Sequence, residues 1–229
     1  MKNLRLLLLL LILLIIPLSV FADTKAIIPT LTVSGTGEIK GSPDIATLFV
    51  TSSSRGTTAQ EATSKNAEAA TILLNTLKSQ GIAEKDIKTS NISISPIFDT
   101  ENNVNSIIGY EASNSFIATI RKISDAGKVI DSVTGAGNYT ISNISFSIEN
   151  DDDLEDEAFK LAVKNARHRA EIVAKEAGKD VTGIKTINAS SSGGIIFGEV
   201  FAVKDSSTPV LPGDITVSAS VTIEYTIGK

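Results

Sequence analysis

Hydrophobic and polar positions recur with two different periods along this chain, and each change of period marks a boundary between elements. Leu31 to Ile39 alternates as a strand and ends in the turn-prone Gly41-Ser42-Pro43. Asp44 to Ser54 is apolar on alternate positions of both faces (Ile45, Thr47, Phe49 against Ala46, Leu48, Val50), which predicts a strand buried on both sides. Helical spacing then takes over. Thr57 or Thr58 can cap the helix, because Glu61 stands where a capping box requires it, and Ala62, Ala69, Leu73 and Leu77 form its apolar stripe up to Gly81.

The period returns to two over Ile87 to Phe98. A polar loop from Asp99 to Ser106, rich in Asn, reads as the hairpin connection to a long strand from Ile107 to Ile120. A second helix, capped by Ser124, runs to about Thr134. It gives way at Gly135-Ala136-Gly137 to a strand over Tyr139 to Ile148. This predicts β-α-β-β-α-β over residues 44 to 149, the order of a ferredoxin-like unit.

The longest helix follows, from Asp151 to Gly178. Its acidic residues crowd the start, which suits the helix dipole, and alanines recur every fourth residue from Ala158 to Ala174. Such a ridge of small side chains lets a neighbour approach closely. Strands over Val181 to Ala189 and Ile215 to Ile227 complete the pattern. Between them Ser190 to Gly194 reads as flexible, and the segment 190 to 213 as an apolar arm that could pack on another subunit. The fold class expected is α+β, with the helices packed on a mixed sheet. Residues 23 to 229 form either one domain or two intimately joined lobes.

The first 22 residues change the picture most. Lys2 and Arg5 precede an unbroken apolar run from Leu6 to Ile16, then Pro17, then Val20-Phe21-Ala22 with small residues where a signal peptidase cuts. Cleavage after Ala22 is the expectation. Retention as an anchor helix is the alternative, and it is disfavoured because a spanning helix needs roughly 20 apolar residues. Either way the remainder is exported. Loss of Lys2 and Arg5 with the leader takes the net charge from −5 to −7. An acidic chain of this kind argues against nucleic acid as a partner. With no cysteine, the exported chain must rely on its apolar core in place of disulfides.

Candidate chemistry is sparse. Gly35-Thr36-Gly37 followed by Gly41 is one residue too long for a dinucleotide fingerprint and has no helix pattern after it, so strand and turn geometry explains it better. His168, the sole histidine, stands between Arg167 and Arg169 with no orienting carboxylate pattern, and reads as a solvated helix residue. Asp151, Asp152, Asp153 and Glu155 lack the alternate spacing and glycine of a calcium loop and suit helix capping instead. Asp44 and Asp86 read as turn residues that hydrogen-bond their own backbone. No catalytic, cofactor-binding or metal-binding residue is assigned.

Several landmarks recur in order. They are Val33-Ser34-Gly35-Thr36-Gly37-Glu38, Pro43-Asp44-Ile45-Ala46, Gly81-Ile82 with Asp86-Ile87-Lys88-Thr89, and Gly109-Tyr110. Gly135-Ala136-Gly137 before Ile144-Ser145-Phe146, then Glu157-Ala158, Ala166-Arg167 and Pro212-Gly213 before Val217-Ser218-Ala219-Ser220-Val221, continue the series. Together they resemble the SIMPL-domain family of bacterial envelope proteins, whose best-known members are periplasmic immunogens. The resemblance implies an α/β type of fold, export, assembly into large homo-oligomers that are ring- or channel-like in some relatives, and a link in others to oxidative or envelope stress. It implies no reaction and no catalytic residue.

The expected function is therefore that of a non-enzymatic, periplasmic protein that self-assembles, with a scaffolding or stress-protective role. Secretion, or loose association with the outer membrane, is compatible with the same leader, and integral membrane insertion is not expected after its cleavage. A soluble ring or channel-like assembly is the alternative, and an enzyme with a loop-built ligand site a further one.

Overall fold

A computed structural model describes residues 28–99, 106–196 and 208–229. The predicted leader, the tip of the predicted hairpin loop and the centre of the predicted arm lie outside these described residues. Within them the chain forms β1 (Thr30–Gly41), β2 (Ile45–Gly56), α1 (Ala59–Ser79), β3 (Ile87–Phe98), β4 (Ile107–Ile120), α2 (Ala126–Ala136), β5 (Tyr139–Ser147), α3 (Asp152–Glu176), β6 (Asp180–Ile196) and β7 (Ile215–Gly228). Short 3₁₀ turns precede β3 at Glu84–Asp86 and α2 at Ile123–Asp125. The fold is α+β.

The strands make two sheets, in the orders β3-β4-β2-β5 and β1-β7-β6. Every pairing is antiparallel, so the expected mixed sheet is not what forms. The reason lies in the crossovers. The α1 connection carries the chain from β2 past one position, and the β3-β4 hairpin returns to fill it. No two neighbours are left running the same way. α3 then leads from the first sheet to the second, which β1 and β7 close from opposite ends of the chain.

α1 begins as its capping box predicts. Thr58 Oγ1 accepts the Glu61 N–H at 3.1 Å, and Glu61 Oε2 accepts from the backbone N–H of Thr57 at 2.8 Å. With Lys65 also bonded to it, the Glu61 carboxyl is held down at about 2. The helix ends where Gly81 adopts φ 83°, a left-handed conformation that costs glycine little. Its buried stripe is Ala62, Asn66, Ala70, Leu73 and Leu77, so Ala70 and a polar Asn66 take the place expected for Ala69. Leu73 and Leu77 pack on Leu48 and Val50 of β2 and Phe116 of β4, within a core that also takes Val129 and Val133 of α2. Each large side chain removed from water in this way contributes roughly 1.5–3 kcal/mol.

Three further expectations are corrected. Only one face of β2 is fully buried; Thr47 and Phe49, on the face turned away from the helices, are half-buried. α2 starts at an Asp125 cap position, with Ser124 inside the preceding 3₁₀ turn. Ser190 to Gly194 belongs to β6, whose pairing with β7 continues to Ile195 opposite Thr216 and Ile196 opposite Ile215. Beyond the undescribed centre of the predicted arm, Val210 is buried in the first core and Thr208 Oγ1 donates to Asp131 Oδ1 at 2.6 Å.

The second core is built from the alanine ridge. Ala158, Ala162, Ala166 and Ala170 of α3 lie against Ala219, Val221, Ile223 and Tyr225 of β7. On β1 the helix comes closer still. A Cβ placed on Gly35 would stand 2.2 Å from Ala162 O, and one on Gly37 2.1 Å from Ala158 O. The two glycines read in the sequence as strand geometry are therefore the floor on which the alanine ridge sits. Small residues on both sides of a contact let the backbones meet.

Candidate functional site

The starts of β2 and β3 and the ends of β4 and β5 share one end of the four-stranded sheet, and each contributes a charged residue there. Asp44 precedes β2, Asp86 closes the 3₁₀ turn before β3, Arg121 follows β4, and Glu149 follows β5. Arg121 offers its planar fork to Asp86, with Nε to Oδ2 at 3.0 Å and Nη2 to Oδ1 at 2.9 Å. Its third nitrogen, Nη1, donates to Glu149 Oε2. The Glu149 N–H in turn donates to Asp44 Oδ1 at 2.8 Å, and the Asp44 N–H to Ser147 O at 3.1 Å. The four residues thus lace all four strands together.

Asp86 is nearly buried, at 8% exposure, and Arg121 about half-exposed. Hydrogen bonding from the Arg121 guanidinium holds the Asp86 carboxyl below its usual range, against the upward push of burial. The same pairing, with Glu149, raises the Arg121 value further. Both Asp86 oxygens are committed to the guanidinium, in the bidentate geometry that makes such pairs strong. A carboxylate so held is an ion-pair partner and a poor proton acceptor. The recess beside it, lined by Gly81, Ile82, Thr119 and Lys122, is open to solvent.

A carboxylate whose folded value is depressed stabilises the fold above its unfolded value, near 4, and loses that contribution as pH falls through the folded value. Arg121→Ala is therefore expected to lower Tm at pH 7, and the gap between wild type and variant is expected to narrow between pH 4 and pH 2. Thermal melts across that range check it, and a gap that stays constant with pH would remove Asp86 as its cause.

The other sequence candidates lie apart. His168 is exposed on α3 beside a recess formed with Lys164, Asn165, Arg167 and Glu171. Its arginine neighbours are engaged elsewhere: Arg167 Nε pairs with Glu171 Oε1 at 2.8 Å and Arg169 Nη1 donates to Ser34 O at 2.8 Å. Asp151 stands at the cap position of α3, and Asp152, Asp153 and Glu155 occupy its first turn. Among the described residues, no group of three His, Asp or Glu side chains converges as a metal site would require. Asp44 and Asp86 do come to the same end of one sheet, where Asp44 accepts from the Glu149 N–H and Asp86 from Arg121. Contrary to the expectation of local turn bonds, both reach across to other strands. Arg121 and Glu149 were not singled out by the sequence, since a single charge after an apolar strand is common and their pairing spans 28 residues.

Comparison with known proteins follows the same landmarks. The SIMPL family model, described as "Protein of unknown function (DUF541)", matches residues 31–225. The chain is 30% identical over 210 residues to the 26 kDa periplasmic immunogenic protein of Brucella melitensis, covering 86% of this chain and 84% of that one. It is 29% identical over 146 residues to the uncharacterized protein YggE of Escherichia coli strain K12, covering 64% of this chain and 59% of that one. With the family model spanning both sheets and all three helices described above, this chain belongs to the SIMPL family.

Proposed function

We propose that this chain is an exported envelope protein that works without catalysing a reaction, as a self-assembled homo-oligomer with a scaffolding or stress-protective role. The observation that carries the reading is the distribution of exposed apolar residues. The helix layers cover β3 and β6 only in part, at Ile87 and Val181. Ile92 and Ile94 of β3, with Ile108 of β4, are left open in the first sheet, and Ile184 and Ile187 of β6 in the second. Bare isoleucines grouped on strands favour a partner surface over solvent. Location in the periplasm is supported by the signal-like leader and by the printed name of the Brucella relative. No helix among the described residues is long and apolar enough to cross a membrane. The ion-paired state of Asp86 and the dispersal of the other candidates support a role other than catalysis.

Two measurements test this. Light scattering after size exclusion is expected to give a mass several times that of one chain at micromolar concentration, and osmotic shock without detergent is expected to release the protein from expressing cells. A strict monomer at that concentration counts against the assembly, and retention of the protein in the detergent-soluble membrane fraction counts against the location.

A further inference from the structure

The outer strands of the two sheets are finished differently. The free edge of β1 is covered by α3: Asn165 Nδ2 donates to Thr36 O and Arg169 Nη1 to Ser34 O, each at 2.8 Å. On β3, Pro96 removes a backbone donor and Ser90 Oγ turns inward to donate to Ser115 O at 3.2 Å. β5 is the shortest strand, at nine residues. These are familiar ways of blunting an edge that would otherwise pair with another chain. β6 is different. It is 17 residues long, and among the described residues none pairs along its outer edge.

The face of β6 beside that edge is also bare. α3 covers β1 and β7 and reaches β6 at Val181, yet Ile184 and Ile187 are 56% and 52% exposed although they stand opposite the buried Tyr225 and Ile223. Residues three apart would ordinarily point to opposite faces of a sheet. Here the register of β6 on β7 shifts between Ile184 and Thr186, and that irregularity brings both isoleucines to the α3 side. Lys185 and Thr186 then share the other side, where both reach Glu224.

We propose that β6 is a self-pairing edge: β6 of a second copy lies antiparallel along it, about a twofold axis between Lys185 and Thr186. The proposal rests on the self-assembly reading above and names the surface that carries it. Any extended peptide can satisfy a row of free N–H and C=O groups. What selects a second copy is that the strand complements itself. The twofold sets Ile184 opposite the second copy's Ile187, and Ile187 opposite the second copy's Ile184, so four exposed isoleucines close over one another. Gly183 falls opposite Asn188 and Lys185 opposite Thr186; the two Lys185 side chains flank the axis diagonally, each held by the Glu224 of its own copy. The pair has the isologous form of most symmetric dimers, and it joins two three-stranded sheets into one of six strands.

Two variants of the full chain, purified from the envelope of the expressing cell, test this beside the wild type. Ile184→Lys with Ile187→Lys is expected to reduce the scattering mass at least twofold while the far-ultraviolet circular dichroism stays that of the wild type and melting stays cooperative. Ile184→Cys with Ile187→Cys, in a chain with no other cysteine, is expected to yield a covalent dimer on a non-reducing gel, reversed by reductant. The cysteine pair decides the matter even where the lysine pair fails to fold. An oligomeric wild type whose mass survives the lysine substitutions, with no dimer band from the cysteines, overturns the β6 edge and leaves self-assembly standing. A monomeric wild type overturns both. Cross-linking only to a different protein overturns the second copy as occupant.

Discussion

Gly37→Ala is expected to destabilise the protein by about 3 kcal/mol or more, a large effect for the addition of one methyl group. Its Cβ would lie 2.1 Å from Ala158 O, 2.7 Å from Ala162 N and 2.9 Å from Leu161 Cβ. Two of these are backbone atoms of α3 that cannot rotate away, so the helix must rise off β1 as a body. Lifting it would loosen the contacts of Ala158 and Ala162 and lengthen the Asn165 and Arg169 bonds to the strand edge. Overpacking of a tight core costs about 1–3 kcal/mol and occasionally more, and this site has less room than most. Gly135→Ala is the control, because no atom lies within 4 Å of a Cβ built there and the residue is helical. It is expected to be neutral or stabilising by up to about 1 kcal/mol. Urea unfolding of both variants decides the point: equal midpoints would mean that close approach of the helix is not what requires glycine at position 37.

Asn66→Ala is expected to cost about 2–3 kcal/mol, by a different route. Asn66 is 2% exposed and Ser52 1%. The Asn66 Nδ2 donates to Ser52 O at 2.8 Å and to Ser52 Oγ at 3.2 Å, pinning α1 to the middle of β2. Truncation leaves the Ser52 groups short of a donor in the core, which costs about 1–3 kcal/mol, and opens a small cavity as well. Asn66→Asp keeps the shape and removes the donating amide. It is expected to be at least as damaging at pH 7, because a buried carboxylate would face a carbonyl oxygen. Melting curves at pH 7 and pH 4 test this: the Asp variant should recover part of its Tm at the lower pH, where its carboxyl can protonate and donate, and no recovery would place the loss elsewhere.

These two sites also mark how far the sequence could be read. Boundaries were legible where local chemistry sets them: β3 and β4 run over the predicted residues because a helix end, an Asn-rich stretch of sequence and a change of period bracket them. The α1 cap was legible for the same reason, since Thr58 and Glu61 meet within one turn. Asn66 was not, because a stripe drawn on apolar residues passes over an amide whose partner lies on another strand. Gly35 and Gly37 were correctly placed on a strand, but the need for them comes from a helix more than 120 residues later. Arg121 and Glu149 were missed on similar grounds, as their meaning lies in the sheet order that brings four strand ends together. The self-pairing pattern of β6 depends on a register irregularity, and simple alternation would have sent Ile184 and Ile187 to opposite faces.

The closure of the second sheet sets an order of events for the chain as it emerges. β1 and β7 pair along their whole length, with Thr30 opposite Thr226 and Gly41 opposite Ile215. Nearly the entire described polypeptide thus lies between the two halves of one hydrogen-bonded ladder. Contacts this distant form late, because the entropy of closing so long a loop must be overcome before any bond rewards it. The β2 to β5 sheet can assemble from contiguous sequence while the last strand is still in transit. β1 has to wait for it. Until then its glycine-bearing face lacks the complete sheet and its outer carbonyls depend on a helix that has no finished floor to dock on. A chain that emerges from its N-terminus holds its first strand unpaired until its last is made, which makes the interval before completion its most vulnerable to proteases.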